Sequence, residues 1–269
     1  MKSIKITNPD KIVYPDLKIK KIDIVKYYYN ISNKMLPFVE NRLLAVIRCH
    51  ENINGECFFK KHPTTEKEYV KIKKDKGEEY FYINSDQQLV FQAQMGTIEF
   101  HCWGSFVNKI NIPNVMIFDL DPDEKLPLSE LRDAVKKIKS VLDELKLKSF
   151  LKTSGGKGYH IVVPFQKYKN WEKFYDFSKQ IAVYVENKWP NIFTTNIRKV
   201  ERKGKIFVDY LRNNRGSTCV APYSLRARKG ATISMPIFWK DLDKITPNEV
   251  NILNYEKYLN NSWKNFEIK

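Results

Sequence analysis

Apolar residues along the chain follow two different periods, and each change of period marks a change of element. Over 22–39, Ile24, Tyr27, Tyr28, Ile31, Met35 and Leu36 recur at the spacing of one helical face. A second stripe, Leu131, Val135, Ile138, Leu142 and Leu145, follows Ser129, which is placed to cap a helix running to about residue 146. Residues 171–189 repeat the pattern until Pro190 stops it. Ser85 is placed to cap a short helix over 86–95, and 247–259 reads as a last helix. Between these lie short runs with strand character at 43–48, 57–60, 97–103, 115–121, 150–152, 159–163, 206–211 and 218–221. Residues 62–78 are charged and turn-like. Strands and helices interleave throughout, so the fold class is α/β or α+β. No linker is long enough to separate domains, so 1–269 reads as a single domain, with a change of lobe near 105–114.

Charge narrows the class of partner. The chain carries 47 Lys and Arg against 31 Asp and Glu, a net +16, which favours an anionic macromolecule, nucleic acid ahead of membrane. An A+T-rich genome accounts for Lys over Arg but not for an excess this large. No run approaches the length of a membrane span, and the N-terminus has no apolar signal region. The four cysteines, Cys49, Cys57, Cys102 and Cys219, contain no CxxC pair, so they are expected to be reduced core thiols of a cytoplasmic protein, with neither zinc nor a disulfide.

The chemistry concentrates at the ends of apolar runs. In VMIFDLDPD, residues 115–123, Asp119 and Asp121 stand two apart and so on one face of a strand. Pro122 cannot donate to a sheet and should end it. Asp209 closes a similar run, Ile206-Phe207-Val208, so the three carboxylates are expected at adjacent strand ends, where they suit divalent cations in phosphoryl transfer. Asp209 pairing with Arg212 is the competing reading. In the turn Ser154-Gly155-Gly156-Lys157-Gly158, three glycines let backbone N–H groups approach an anion; Ser154 offers a hydroxyl, Lys157 a charge, and His160 a donor on the next strand. The P-loop spacing is absent. Arg226 and Arg228 share a face and suit phosphate. His101 stands near Trp103 at a strand end. Of Phe58 and Phe59, either one is core and the other free to stack on a base, beside Lys60 and Lys61, or both are buried at a bend. Lys11, Lys18, Lys20 and Lys21 form a basic N-terminal edge.

These residues together resemble the polymerase domain of bacterial ligase D, in the archaeo-eukaryotic primase superfamily. The resemblance runs from TNPDKIVYP at residue 7 to SMPIFWKDL at 234–242. It rests on the DxD of Asp119 and Asp121, the segment Ser154 to His160, and Val208-Asp209, with EFHCWGS, KTSGGKGYH, DYLRNNRG and APYSLRAR around them. It implies a primase-polymerase fold: central mixed or antiparallel sheets flanked by helices, with an RRM-like catalytic core in a lobe over 106–269 and an N-terminal lobe over 1–105. It implies a template-dependent nucleotidyltransferase that fills gaps and extends DNA ends in non-homologous end joining and favours ribonucleotides. Asp119, Asp121 and Asp209 would hold two magnesium or manganese ions. Ser154, Lys157, His160 and one of Arg226 or Arg228 would bind the triphosphate, with His101 beside the nucleotide. Lys11 and Lys21 would grip a 5′-phosphate, and Phe58 and Phe59 would stack at the template strand. The implied partners are gapped or broken DNA, NTP or dNTP, a separate DNA ligase and the end-binding protein Ku.

The chain departs from that pattern in two places. It holds no ligase or nuclease segment, which points to a stand-alone version or one encoded beside a ligase. YPDLKIKKIDI lacks the expected Gly-Ile-Thr-Lys element, leaving Lys20 and Lys21 as alternatives for the phosphate contact. Three other readings are weaker. A haloacid dehalogenase-type phosphatase needs Thr or Val where Asp123 stands. A calcium loop needs Gly where Glu124 stands. A non-catalytic DNA-end binding module has no use for three clustered carboxylates.

Overall fold

The computed structural model describes residues 4–63, 69–165 and 167–267. The chain opens with a hairpin of β1 (Ile12–Tyr14) and β2 (Ile19–Lys20) and enters helix α1 (Lys21–Val39). Two more hairpins follow, β3 (Leu44–Cys49) with β4 (Cys57–Lys60), and β5 (Lys71–Asp75) with β6 (Glu78–Tyr82). Helix α2 (Asp86–Gln94) and strand β7 (Thr97–Trp103) complete this part. Then come β8 (Val115–Pro122), α3 (Leu128–Glu144), β9 (Phe150–Thr153), β10 (Tyr159–Pro164) and α4 (Trp171–Lys188). The chain continues with β11 (Phe193–Thr194), β12 (Ile206–Asp209), β13 (Thr218–Val220) and β14 (Pro236–Ile237).

Two sheets organise these elements. The larger has the order β11-β12-β8-β10-β9-β14. Its central part, β8-α3-β9-β10-α4-β12, is a βαββαβ unit with strand order β12-β8-β10-β9, every pair antiparallel. This is the RRM-like core that the resemblance implies. The smaller sheet, β13-β7-β3-β4, is wholly antiparallel and takes its edge strand from far along the chain. One apolar cluster runs from Val13 to Tyr255 through both sheets and all four helices.

Strand β8 fixes which way the candidate carboxylates point. Met116, Phe118 and Leu120 are fully buried on one face. Each is worth about 1.5–3 kcal/mol when removed from water, so a register slip that exposed them would be costly. Asp119 and Asp121, alternating with them, must therefore face the other side.

Three tyrosines of the N-terminal segment reach a stretch some two hundred residues away. Tyr14 Oη donates to the Arg226 carbonyl at 2.9 Å, and Tyr27 Oη to the Tyr223 carbonyl at 2.6 Å. The Leu225 N–H donates to Tyr28 Oη at 3.0 Å. The apolar spacing in α1 thus supplies both a packing face and two polar clasps, and β1 supplies the third.

Several expectations need correction. Residues 246–259 hold turns and a short 3₁₀ segment, Tyr255–Tyr258, instead of a last helix. Asn251 and Asn254 side chains accept from the Leu253 and Asn251 N–H groups, and such local bonds compete with the helical ladder. Backbone bonds from Ile233 to Val250 and from Ile252 to Ala231 draw the segment into extended pairing. Within 62–78, residues 64–68 lie outside the described residues, and the rest is not all turn: β5 and β6 close over Lys76 and Gly77, both with positive φ, as a tight hairpin requires. Ser85 caps α2 through the Gln88 N–H as expected, but Ser129 lies inside the first turn of α3, whose cap position is Pro127. Leu145 is 45% exposed beyond the helix end.

The cysteine expectation also fails. Cys49 and Cys57 form a disulfide, while Cys102 and Cys219 are free. The pair stands eight positions apart in sequence, but the β3–β4 register sets them directly opposite each other, which linear spacing does not reveal. Neither Phe58 nor Phe59 is core. Phe58 is half-buried against His50, and Phe59 is 54% exposed with its ring 5.7 Å from His101. No helix among the described residues is long and apolar enough to cross a membrane.

Candidate active site

The antiparallel register of the larger sheet assembles a row of polar side chains across four strands. Asp209 stands opposite Asp119, Asp119 opposite His160, and His160 opposite Lys152. Residues directly opposite share a face, so the row needs no loop to form it. Asp121 follows two residues on, beside Phe207. All three carboxylates, His160 and the glycine-rich turn line one cavity of about 550 Å³.

Each carboxylate has a hydrogen-bond donor or a cation beside it. His160 Nε2 lies 3.2 Å from Asp119 Oδ1, Arg212 Nε 3.0 Å from Asp209 Oδ2, and an Arg202 guanidinium nitrogen 3.5 Å from Asp121 Oδ2. Burial by itself pushes the Asp119 carboxyl up, but the His160 ring, Arg212 and Lys152 outweigh it and hold it at about 2. Asp121 is raised, by burial and then by Asp119. Asp209 is raised by burial and by Asp119, against Arg212. The competing reading of Asp209, a pair with Arg212, is therefore present together with the acidic cluster.

The donor set suits hard divalent cations: three carboxylates on neighbouring strands, two of them made less acidic by desolvation and mutual repulsion, which a cation relieves. Among the described residues no three carboxylates, histidines or cysteines already converge as a ligand set. Each Asp is turned toward its own partner, His160, Arg202 or Arg212.

Opposite the acids lies the turn. Ser154 Oγ accepts from the Gly156 N–H at 3.0 Å and the Gly158 N–H at 3.2 Å, so this hydroxyl organises the turn and keeps its own hydrogen to donate. Gly155 has a φ of +68°. A Cβ at Gly158 would run into the Leu120 carbonyl, so glycine there lets the turn press against β8. Lys157 is paired with the exposed Glu124.

Arg226 and Arg228 both line the cavity but are not equivalent. Arg226 bonds Glu99 at 2.9 Å and the Ser154 carbonyl, whereas Arg228 has no carboxylate partner among the described residues. Burial and then Arg226 lower the Arg228 pKa. His101 Nε2 lies 2.9 Å from the same Glu99 oxygen.

The sequence reading passed over two groups here. Glu99 is buried and joins His101, Arg226 and the Ala227 N–H; despite the burial that raises it, these hold its carboxyl at about 2. Its signal was available, since it stands two residues from His101 on one strand face. Lys152 is buried, and desolvation brings its ammonium down to about 8.

Lys11 and Lys21 lie apart from this cavity. They line a second, of about 300 Å³, with Arg48, His50 and Phe58. Lys11 donates to the His50 carbonyl, and Lys21 to the Thr7 carbonyl and Gln94 Oε1, both at 2.7 Å. Burial, then Lys11, lowers the Lys21 pKa, whereas Lys20 is turned away to an exposed pair with Asp10 at 2.8 Å. Of the two alternatives, only Lys21 lines the cavity.

The family model for the LigD primase-polymerase domain matches residues 20–265. The multifunctional non-homologous end joining protein LigD of Pseudomonas aeruginosa is 35% identical over 247 residues, covering 90% of this chain and 29% of that protein. The bifunctional non-homologous end joining protein LigD of Bacillus subtilis is 29% identical over 247 residues, covering 91% of this chain and 40% of that protein. The chain thus spans well under half the length of these relatives. Among solved structures, the polymerase domain of Mycobacterium tuberculosis ligase D in complex with DNA superposes with a TM-score of 0.88 at 26% identity, over 96% of this chain and 94% of that one.

Proposed function

Because the chain belongs to the primase-polymerase domain family of LigD, the polymerase-type nucleotidyltransferases, we propose that it fills gaps and extends DNA ends by template-dependent nucleotidyl transfer in non-homologous end joining. The observation that carries this reading is the cross-strand row of Asp209, Asp119 and His160, with Asp121 beside it, facing the glycine-rich turn across one cavity. A primer 3′-hydroxyl oxygen attacks the α-phosphorus of a bound nucleotide, the bond to the bridging oxygen breaks, and pyrophosphate leaves.

Asp119, Asp121 and Asp209 would hold two magnesium or manganese ions, which, when bound, lower the pKa of the hydroxyl and offset triphosphate charge. Arg228 and Lys157 supply cationic contacts to the phosphates, the Ser154 hydroxyl and the His160 ring supply donors, and Arg226 braces the turn through the Ser154 carbonyl. His101 and the exposed Phe59 ring bound the nucleotide and template side, where a preference for ribonucleotides would be set. Lys11 and Lys21 grip a downstream 5′-phosphate, with Phe58 on the same wall. The single unit over 1–269, with lobes meeting near 105–114, belongs to this proposal, as do a DNA ligase, Ku and a cytoplasmic setting. The phosphatase alternative gains nothing from a DxD strand that lies antiparallel between its neighbours.

Primer extension on a gapped duplex tests the reading. Template-directed incorporation that needs a divalent ion and is lost in Asp119→Ala is expected. Tight duplex binding with no incorporation under any divalent ion would favour the end-binding alternative.

A further inference from the structure

Two histidines line the larger cavity, and each is held from behind by a buried charged side chain, of opposite sign in the two cases. Glu99 holds His101, and Lys152 holds His160. The direction of every hydrogen bond around His160 follows from its partners. Asp119, an ionised carboxylate, only accepts, so the proton of His160 sits on Nε2, 3.2 Å away. Nδ1 faces Lys152 Nζ at 2.9 Å, and an ammonium only donates, so Nδ1 is the ring's lone pair. Lys152 also donates to Ser234 Oγ at 2.6 Å, whose own hydrogen goes to the Thr153 carbonyl at 2.9 Å. Without Lys152, the nearest partner for Nδ1 is the Cys219 sulfur at 3.2 Å, a weak donor that equally well accepts from an Nδ1–H. Lys152 is only 1% exposed, and a buried ammonium is costly where an apolar side chain would fill the same strand position.

We propose that Lys152 is a positioning residue: it fixes His160 in the Nε2–H form with that N–H aimed into the cavity, so that His160 donates to an anionic oxygen there, of Asp119 at rest and of a nucleotide phosphate in turnover. The second half rests on the nucleotidyl-transfer reading; the first does not.

The test uses imidazole ¹H–¹⁵N NMR on the full chain, assigned with His160→Asn, together with steady-state incorporation on a gapped duplex. In wild type, His160 is a single neutral tautomer protonated on Nε2. Lys152→Met loses that single form, and its apparent KM for nucleotide rises about tenfold or more, with a smaller change in kcat and unchanged duplex affinity. Lys152→Gln, which keeps an N–H donor without the charge, restores both the tautomer and KM. An unchanged Nε2–H form in Lys152→Met, with KM within roughly twofold of wild type, overturns the proposal. If Lys152→Met does not fold, Lys152→Gln decides alone, and His160 protonated on Nδ1 in that variant overturns the proposal as well. A wild type that incorporates no nucleotide defeats the polymerase reading, while the NMR comparison still decides the role of Lys152.

Discussion

The two cavities handle charge in opposite ways. The larger mixes signs: Asp121 and Asp209 are matched by Arg202 and Arg212, Asp119 faces the His160 ring, and Arg226 is matched by Glu99. The smaller is lined by Lys11, Lys21 and Arg48 with no carboxylate among its described lining residues, and its lysines rest on neutral oxygens. A site that redistributes charge during a reaction needs both signs close together, because cations and anions must exchange partners. A site that only captures an anion does better when its lysines rest on neutral oxygens than on carboxylates. On the proposed reading the difference separates a place for chemistry from a place for recognition, and substitutions can test that division.

The largest expected effect is at the mixed cavity. Asp119→Ala should lower nucleotide incorporation by about a hundredfold or more while leaving duplex affinity intact, since the carboxylate repels DNA. Incorporation within tenfold of wild type would remove Asp119 from the chemistry. Next in size, Lys11→Ala combined with Lys21→Ala should erase a preference for 5′-phosphorylated over 5′-hydroxyl gaps of roughly tenfold to hundredfold, two charge-assisted contacts being at stake. Equal binding of both ends by wild type at fixed salt would reduce the small cavity to a general basic surface. Smaller again, Lys157→Ala should raise the apparent KM for nucleotide by about tenfold, because Lys157 is half-exposed and its charge is partly screened. Weaker duplex binding with an unchanged KM would assign it to DNA instead. The smallest effect is expected from Cys49→Ser with Cys57→Ser. The disulfide braces the wall that carries His50 and Phe58, so end preference should fall severalfold and incorporation on an unphosphorylated gap should not change. An equal loss in both assays would mean that the bridge serves the whole fold.

The same contrast governs how much was legible in the sequence. Asp119, Asp121 and Asp209 announce themselves because a carboxylate ending an apolar run has one face to occupy, and the sheet register then brings them together with His160. The βαββαβ core follows from the alternation of periods over 115–209. Lys152 was invisible because a lysine in a strand reads as solvent-facing until the register with His160 is known. The disulfide was hidden for a similar reason, since pairing across a hairpin depends on which residues lie opposite. The segment at 247–259 misled because its apolar spacing fits a helix, while its asparagines and its pairing with 231–233 favour turns. Local pattern carries far where one strand or helix decides the outcome and fails where partners distant in the chain decide it.

The tyrosine clasps from β1 and α1 to the stretch 223–226 bear on how the chain is made. The bonded positions are separated by 212, 196 and 197 residues. At roughly 5–20 residues per second, a ribosome needs about 10–40 s to bring the second partner out after the first. The first-made helix therefore waits with an aromatic face uncovered, and the smaller sheet waits with it for β13. Contacts this far apart slow two-state folding and lengthen exposure to aggregation. Shortened chains ending before about residue 220 should bind holdase chaperones during synthesis, whereas the βαββαβ core, complete once residue 209 has emerged, should already resist protease.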